Sequence, residues 1–156
     1  MTQRSGMKIE VRQAVSTDVG VTSELFGGYL EFYGVSAVPD RVRSFLGERI
    51  AQRDSVIFLA QTRDQPALGF AQMYPTFSSL SLSPAWILND LFVRPRARRV
   101  GVARALIRAC LADARRAGAV SIELRTAHDN DPARHLYEIE GFEEDTHFVC
   151  YQSQIT

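Results

Sequence analysis

Trp86-Ile-Leu-Asn-Asp-Leu-Phe-Val93, followed by Arg94-Pro-Arg-Ala-Arg-Arg-Val-Gly-Val-Ala103, reads as a strand delivered into a helix. The apolar run Trp86, Ile87, Leu88, Leu91, Phe92 and Val93 suits a strand covered on both faces. Asn89 and Asp90 interrupt it, and a covered strand rarely holds two polar side chains without a task. Pro95 has no N–H for a ladder and ends the strand. Six arginines (94, 96, 98, 99, 104 and 108) lie between Asp90 and Asp113 with no acidic residue among them. Gly101 and Ala103 open a helix that runs to about Ala117. A helix start presents N–H groups without intrahelical partners, and its dipole favours an anion. Small residues there let a phosphate approach the backbone. The segment is a candidate seat for a phosphorylated ligand.

Outward from this segment, the 156 residues suffice for one domain, 1–156, with its own core. Eighteen basic and eighteen acidic residues cancel, so the bulk charge favours neither nucleic acid nor membrane as partner. No run reaches the roughly 18 apolar residues of a membrane span, and the start lacks a signal peptide's apolar stretch. A cytoplasmic protein is expected. Cys110 and Cys150 read as reduced core residues without metal-type spacing, and no metal site is expected.

Residues 1–6 are polar and expected to fray. Met7–Val15 alternates as a first strand, and Ser16 or Thr17 offers an N-cap to a helix over about Asp18–Tyr33. Gly27-Gly28 inside that helix costs about 2 kcal/mol relative to alanine, which implies a kink, a break or a close approach. Pro39 starts a second helix to about Gln52. Ser55–Gln61 and Ala67–Tyr74 form a hairpin around the turn Arg63–Pro66, closed by Pro75, and Phe77–Pro84 reads as a serine-rich loop. Gly118 caps the central helix, Val120–Thr126 is a strand, and Asp129-Asn130-Asp131-Pro132 opens a helix to about Glu140. Phe142 and His147–Gln152 read as the last strands. The strand–helix–strand passage through Leu88–Ser121 implies parallel pairing and the hairpin antiparallel pairing, so the sheet should be mixed.

Two segments are specific together. Arg98-Arg99-Val100-Gly101-Val102-Ala103 has the form R-x-x-G-x-A directly after a strand. About thirty residues on, Asn130, Ala133, Leu136-Tyr137-Glu138 and Gly141-Phe142 have the form N-x-x-A-x-x-L-Y-E-x-x-G-F. With both, the chain resembles the GCN5-related N-acetyltransferase (GNAT) superfamily over essentially its whole length. Leu88–Val93 and the aromatic helix Tyr29–Tyr33 look most like its histone/polyamine acetyltransferase-like branch. The resemblance implies an α/β (α+β) fold, a mixed, partly splayed sheet of about six to seven strands with about four flanking helices. It implies acetyl transfer from acetyl-coenzyme A to a primary amine, without metal or covalent enzyme intermediate. Acceptors of that description include a polyamine, another small amine or a lysine-containing peptide. Such enzymes are commonly homodimers, and a homodimer is left open.

By the same resemblance, backbone N–H groups of Arg98, Arg99, Val100, Gly101, Val102 and Ala103 hold the pyrophosphate, and Leu91, Phe92 and Val93 bind the pantetheine arm like an extra strand. Asn130 binds pantetheine or caps the last helix. Arg94, Arg96, Arg104, Arg108 and Arg134 read as solvated surface with one of them open to the 3′-phosphate, Arg134 is counted among the coenzyme-binding residues, and Tyr137 aims its hydroxyl at the thioester sulfur. The chemistry demands such groups on its own account. An amine with a pKa of about 10 must lose a proton before attacking. Asp90 is the candidate acceptor, directly or through water; its plainer role is to cap a bulge or pair with an arginine. A backbone N–H can stabilise the oxyanion and tyrosine can protonate the thiolate. Phe26, Tyr29 and Tyr33 either wall the acceptor site or simply pack. Glu31, Glu123 and Glu143-Glu144-Asp145 either attract a cation or form solvated faces. His128, His135 and His147 lack metal spacing. The alternative to an enzyme is a non-catalytic acyl-coenzyme A-binding regulatory module of the same fold. G-x-x-x-x-G-K-[ST] and G-x-S-x-G are both absent, which disfavours a phosphate-loop enzyme and a serine hydrolase.

Overall fold

The computed structural model describes residues 8–65 and 67–155, so the expected frayed start and Pro66 of the turn lie outside the described residues. The elements run β1 (Glu10–Gln13), α1 (Val19–Phe32), α2 (Pro39–Gln52), β2 (Val56–Gln61), β3 (Gly69–Ser78), β4 (Ser83–Val93), α3 (Val102–Arg116), β5 (Ile122–Leu124) and α4 (Asp131–Ile139). The sheet order is β1-β2-β3-β4-β5, antiparallel except for the parallel pair β4–β5, which gives the expected mixed sheet. Backbone contacts divide the chain into two compact units, one through Arg125 and one from Thr126. Among the described residues no helix is long and apolar enough to cross a membrane.

Among the described residues five strands form rather than six to seven. Phe142 and the 147–152 segment stay outside any strand, because the Asp145 carboxylate accepts the N–H groups of His147 (2.8 Å) and Phe148 (3.1 Å). A side chain that claims consecutive backbone donors offers the chain a turn in place of a ladder. Pro75 does not close its strand either: β3 continues to Ser78, with Pro75 opposite Trp86. The last β3 residue paired with β2 is Met73, so the missing N–H at Pro75 faces an open edge. The serine-rich segment is accordingly a hairpin tip over 79–82, and β4 already starts at Ser83. Neither Ser16 nor Thr17 caps α1. Asp18 instead receives two bonds from the Arg12 guanidinium (2.7 and 2.8 Å) and one from the Val15 N–H (2.8 Å).

One face of the sheet carries a core of Leu25, Val42, Leu46, Ile57, Leu59, Phe70 and Phe92, built from α1, α2 and strands β2 to β4. α3, strongly one-sided through Val102, Leu106, Ile107, Cys110 and Ala114, packs across strands β1 to β4. Helix α1 runs unbroken through the paired glycines. A Cβ on Gly28 would lie 2.8 Å from the end of the Phe92 ring, whereas one on Gly27 would meet nothing within 4 Å. Adjacent substitutions should therefore act with opposite sign. Gly27→Ala is expected to raise unfolding stability by about 0.5–1 kcal/mol through helix propensity. Gly28→Ala should lower it by about 1 kcal/mol, because pushing the Phe92 ring aside outweighs that gain. Urea midpoints of the two variants check the contrast.

Candidate active site

The pairing between β4 and β5 covers only Trp86–Ile122, Ile87–Glu123 and Leu88–Leu124. Beyond Leu88 strand β4 continues to Val93, bound on its other edge to β3 alone among the described residues. The two parallel strands part there, leaving the backbone of Leu91, Phe92 and Val93 along an edge where an extended ligand can pair. A bulge marks the same point. Gln72 faces Asp90 and Met73 faces Leu88, so Asn89 is the extra residue of β4. The bulge shifts the alternation by one residue: Leu88 follows Met73, while Asp90 joins Gln72 and Phe92 on the α1–α2 face.

Past Val93 the chain makes a single turn of 3-10 helix over Pro95–Ala97 and enters α3 through a left-handed turn, with Arg99 at φ 63° and Gly101 at φ 92°. Gly101 sits at the N-cap position, and no side chain caps the helix. A helix start leaves first-turn N–H groups such as those of Val102 and Ala103 without intrahelical acceptors, and positive-φ residues ahead of it can turn further amides the same way. This arrangement fits a pyrophosphate. Arg98 has another engagement. Its Nε donates to the Val93 carbonyl (3.0 Å), and its guanidinium lies 5.7 Å from the Phe32 ring centre and 5.9 Å from that of Phe92. Arg94 is committed likewise, its Nε donating to the Ala67 carbonyl at 2.9 Å and its guanidinium reaching Glu24 at 3.4 Å. Glu24, Glu31, Phe32, Phe92, Arg96 and Arg98 line a cleft of about 690 Å³ beside this strand end.

Asp90 is 4% exposed and Gln72 fully buried. Gln72 Nε2 donates to Asp90 Oδ2 at 2.8 Å, Asn89 Nδ2 to Oδ1 at 3.1 Å, and the Ser55 hydroxyl to Gln72 Oε1 at 3.0 Å. Burial pushes the Asp90 carboxyl above the usual range, and hydrogen bonds from Gln72, Tyr29 and Asn89 pull it partway back. Burial and the nearby Asp90 charge push the Tyr74 phenol up to about 12, so it stays neutral at physiological pH. A buried carboxylate with raised basicity on a parting strand is equipped to take a proton.

The α1 aromatics divide. Phe26 and Tyr29 are partly buried against the core, with Phe26 5.7 Å and Tyr29 6.1 Å from the Phe70 ring. Tyr33 is half exposed and lies edge-on to Tyr29 at 5.0 Å. Packing accounts for Phe26, whereas the Tyr29 hydroxyl reaches Asp90.

In the second unit, Asn130 holds the N-cap position of α4, but its side chain makes no cap bond. Arg134 donates to the His128 carbonyl (3.2 Å) and pairs with Glu144 (3.0 Å), which ties the segment after α4 to the one before it. The spacing L-Y-E-x-x-G-F has a local explanation. The Gly141 N–H bonds to the Glu138 carbonyl at 3.1 Å and the Phe142 N–H to the Tyr137 carbonyl at 3.0 Å, with Gly141 at φ 91°. This is a Schellman end, whose apolar contact is the edge-on pair Tyr137–Phe142 at 5.9 Å. The helix terminus thus fixes the Tyr137 ring.

Residues 23–142 match the Acetyltransferase (GNAT) family. This chain belongs to that family. As a GNAT acetyltransferase it is 42% identical to the Bacillus subtilis (strain 168) protein named uncharacterized N-acetyltransferase YhfO, over 92% of this chain and 95% of the relative. A solved structure described as a probable acetyltransferase superposes with TM-score 0.89 at 40% identity, covering 94% of this chain and 98% of the other. An aminoglycoside N-acetyltransferase, AAC(6′)-Iy in complex with coenzyme A, superposes with TM-score 0.78 over 99% of this chain and 100% of its own. At 24% identity, that likeness speaks to the fold.

Against the GNAT chain's sequence, the structure brings Asp90 and Tyr29 together and adds three residues that sequence reasoning missed: Ser55, Gln72 and Tyr74. The signal for Gln72 was available. A glutamine in the middle of Gly69-Phe-Ala-Gln-Met is as anomalous in a covered strand as Asp90 is in its own.

Proposed function

We propose that this GNAT chain transfers acetyl from acetyl-coenzyme A to a primary amine by direct attack of the amine. The observation that carries the reading is the parting of β4 from β5 at the Asn89 bulge, which sets a pantetheine-accepting edge between the buried Asp90 and the amide-lined start of α3. The Arg98 N–H is taken by the Pro95 carbonyl (3.3 Å), so the amides from Arg99 to Ala103 hold the pyrophosphate, and Leu91 to Val93 guide the arm. Asp90 accepts the ammonium proton. Asn130 and Arg134 serve the coenzyme from α4, and Tyr137 returns a proton at sulfur. Two relatives, 26% and 28% identical to this chain, are named aminoglycoside N(6′)-acetyltransferase, which supports a small-amine acceptor, with a polyamine or a protein lysine as the other candidates.

The direct test is a turnover screen with acetyl-coenzyme A over polyamines, aminoglycosides, amino acids and lysine peptides, read by thiol release. Coenzyme binding without turnover on any amine would refute the enzyme in favour of a binding module. Tyr137→Phe keeps the ring that packs on Phe142 but removes the proton donor. Its kcat is expected to fall by about 10²–10³ while coenzyme affinity changes less than about threefold. Equal losses in both would refute the assignment.

A further inference from the structure

We propose that Gln72, oriented by Ser55, is a positioning residue that holds the Asp90 carboxylate in place as the proton acceptor of the transfer; the inference rests on Asp90 acting as that base. An ionised carboxylate can only accept hydrogen bonds, so it selects the amide nitrogen of Gln72. That leaves Oε1 to face Ser55, which must then donate, as it does at 3.0 Å. Every donor in the series Ser55–Gln72–Asp90 therefore points toward the carboxylate, and each bond polarises the next. All three residues are buried (8%, 0% and 4% exposed), so water does not replace a lost partner.

The placement depends on the bulge. Were Asn89 paired in a regular ladder rather than bulged, it would face Gln72, and Asp90 would share the face of Leu88 and Met73, away from Gln72. Packing alone would be served better by an apolar pair beside Ile57, Phe70 and Phe92. The other groups facing Asp90 are Tyr29 from α1 and its neighbour Asn89, with Tyr74 of β3 close by. Arg49 and Asp54, at the end of α2 and just beyond it, act on Tyr74. A donor to the carboxylate favours its charged form, so removing Gln72's donor makes Asp90 take up a proton at higher pH.

The test titrates the Asp90 side-chain carboxyl by carbon-13 NMR in the wild-type protein, Gln72→Leu and Gln72→Glu, with kcat/KM profiles alongside. Gln72→Glu keeps the shape and the Ser55 bond but sets a second carboxyl against Asp90, which guards against a Gln72→Leu that fails to fold. In both variants the Asp90 midpoint and the acidic limb of kcat/KM should rise together by about one pH unit or more. Ser55→Ala should move both in the same direction by less, and coenzyme A affinity should hold in all three. An Asp90 midpoint that stays in place overturns the role of Gln72. A midpoint that moves while the acidic limb stays overturns Asp90 as the base, and with it the part of Gln72 in turnover.

Discussion

Gly101→Glu is expected to abolish coenzyme A binding while leaving the protein folded. Gly101 stands at the N-cap of α3 with φ 92° and ψ 5°. A side chain there incurs backbone strain of about 1–3 kcal/mol, yet it has room: the nearest atom to an added Cβ is Ile9 Cδ1, at 3.9 Å. The loss should thus fall on the ligand. A glutamate carboxylate would take the first-turn amides for itself, since the helix start favours any anion. It would also repel the two phosphates. Losing two charge-assisted bonds at about 1.5–3 kcal/mol each weakens binding at least about 100-fold. Gly101→Ala separates the contributions: it carries the same strain without the charge, and its affinity should fall by no more than about tenfold. Calorimetric titration with coenzyme A measures both. Undiminished binding by the glutamate variant would remove the phosphate seat from this turn.

Asp90→Asn should split activity from stability. Without a carboxylate no group on β4 can accept the amine proton, and kcat is expected to drop about 10²–10⁴-fold near neutral pH, with the acidic limb of the profile lost. A limb that stays in place would show that another group is the base. Stability should move the other way. The folded-state carboxyl is raised above its unfolded value, so between those two values the folded protein binds more protons and stability falls as pH rises. Asparagine carries no such penalty and can still accept the Gln72 amide. The variant should therefore gain stability over wild type above the folded-state value, and the gain should vanish as pH falls below the unfolded one. Urea midpoints at pH 8 and pH 3 provide the comparison, under the linkage that relates proton uptake to folding.

Local rules made much of this protein legible. Pro39 starting a helix, Pro95 stopping a strand and Gly141 ending α4 act through their own backbone chemistry, and all three stand where their chemistry requires. The close approach implied by Gly27-Gly28 was legible in kind, but only packing showed that Gly28 meets Phe92 while Gly27 meets nothing. Pro75 misled because its cost depends on whether a neighbouring strand still runs beside it, and β2 does not. The 147–152 segment alternates like a strand, yet Asp145 takes its leading amides first.

By itself, then, the order of residues determined the helices, the central strand, the mixed sheet and the turn ahead of α3, because each follows from backbone preferences within a few neighbouring positions. Only the tertiary structure decided which side Asp90 faces and what it meets there. One extra residue at Asn89 reverses the alternation of β4, Gln72 comes to the carboxylate from β3, and Ser55, just ahead of β2, comes to Gln72. Period-two reasoning along a single strand cannot see a bulge that exists only in its pairing with another.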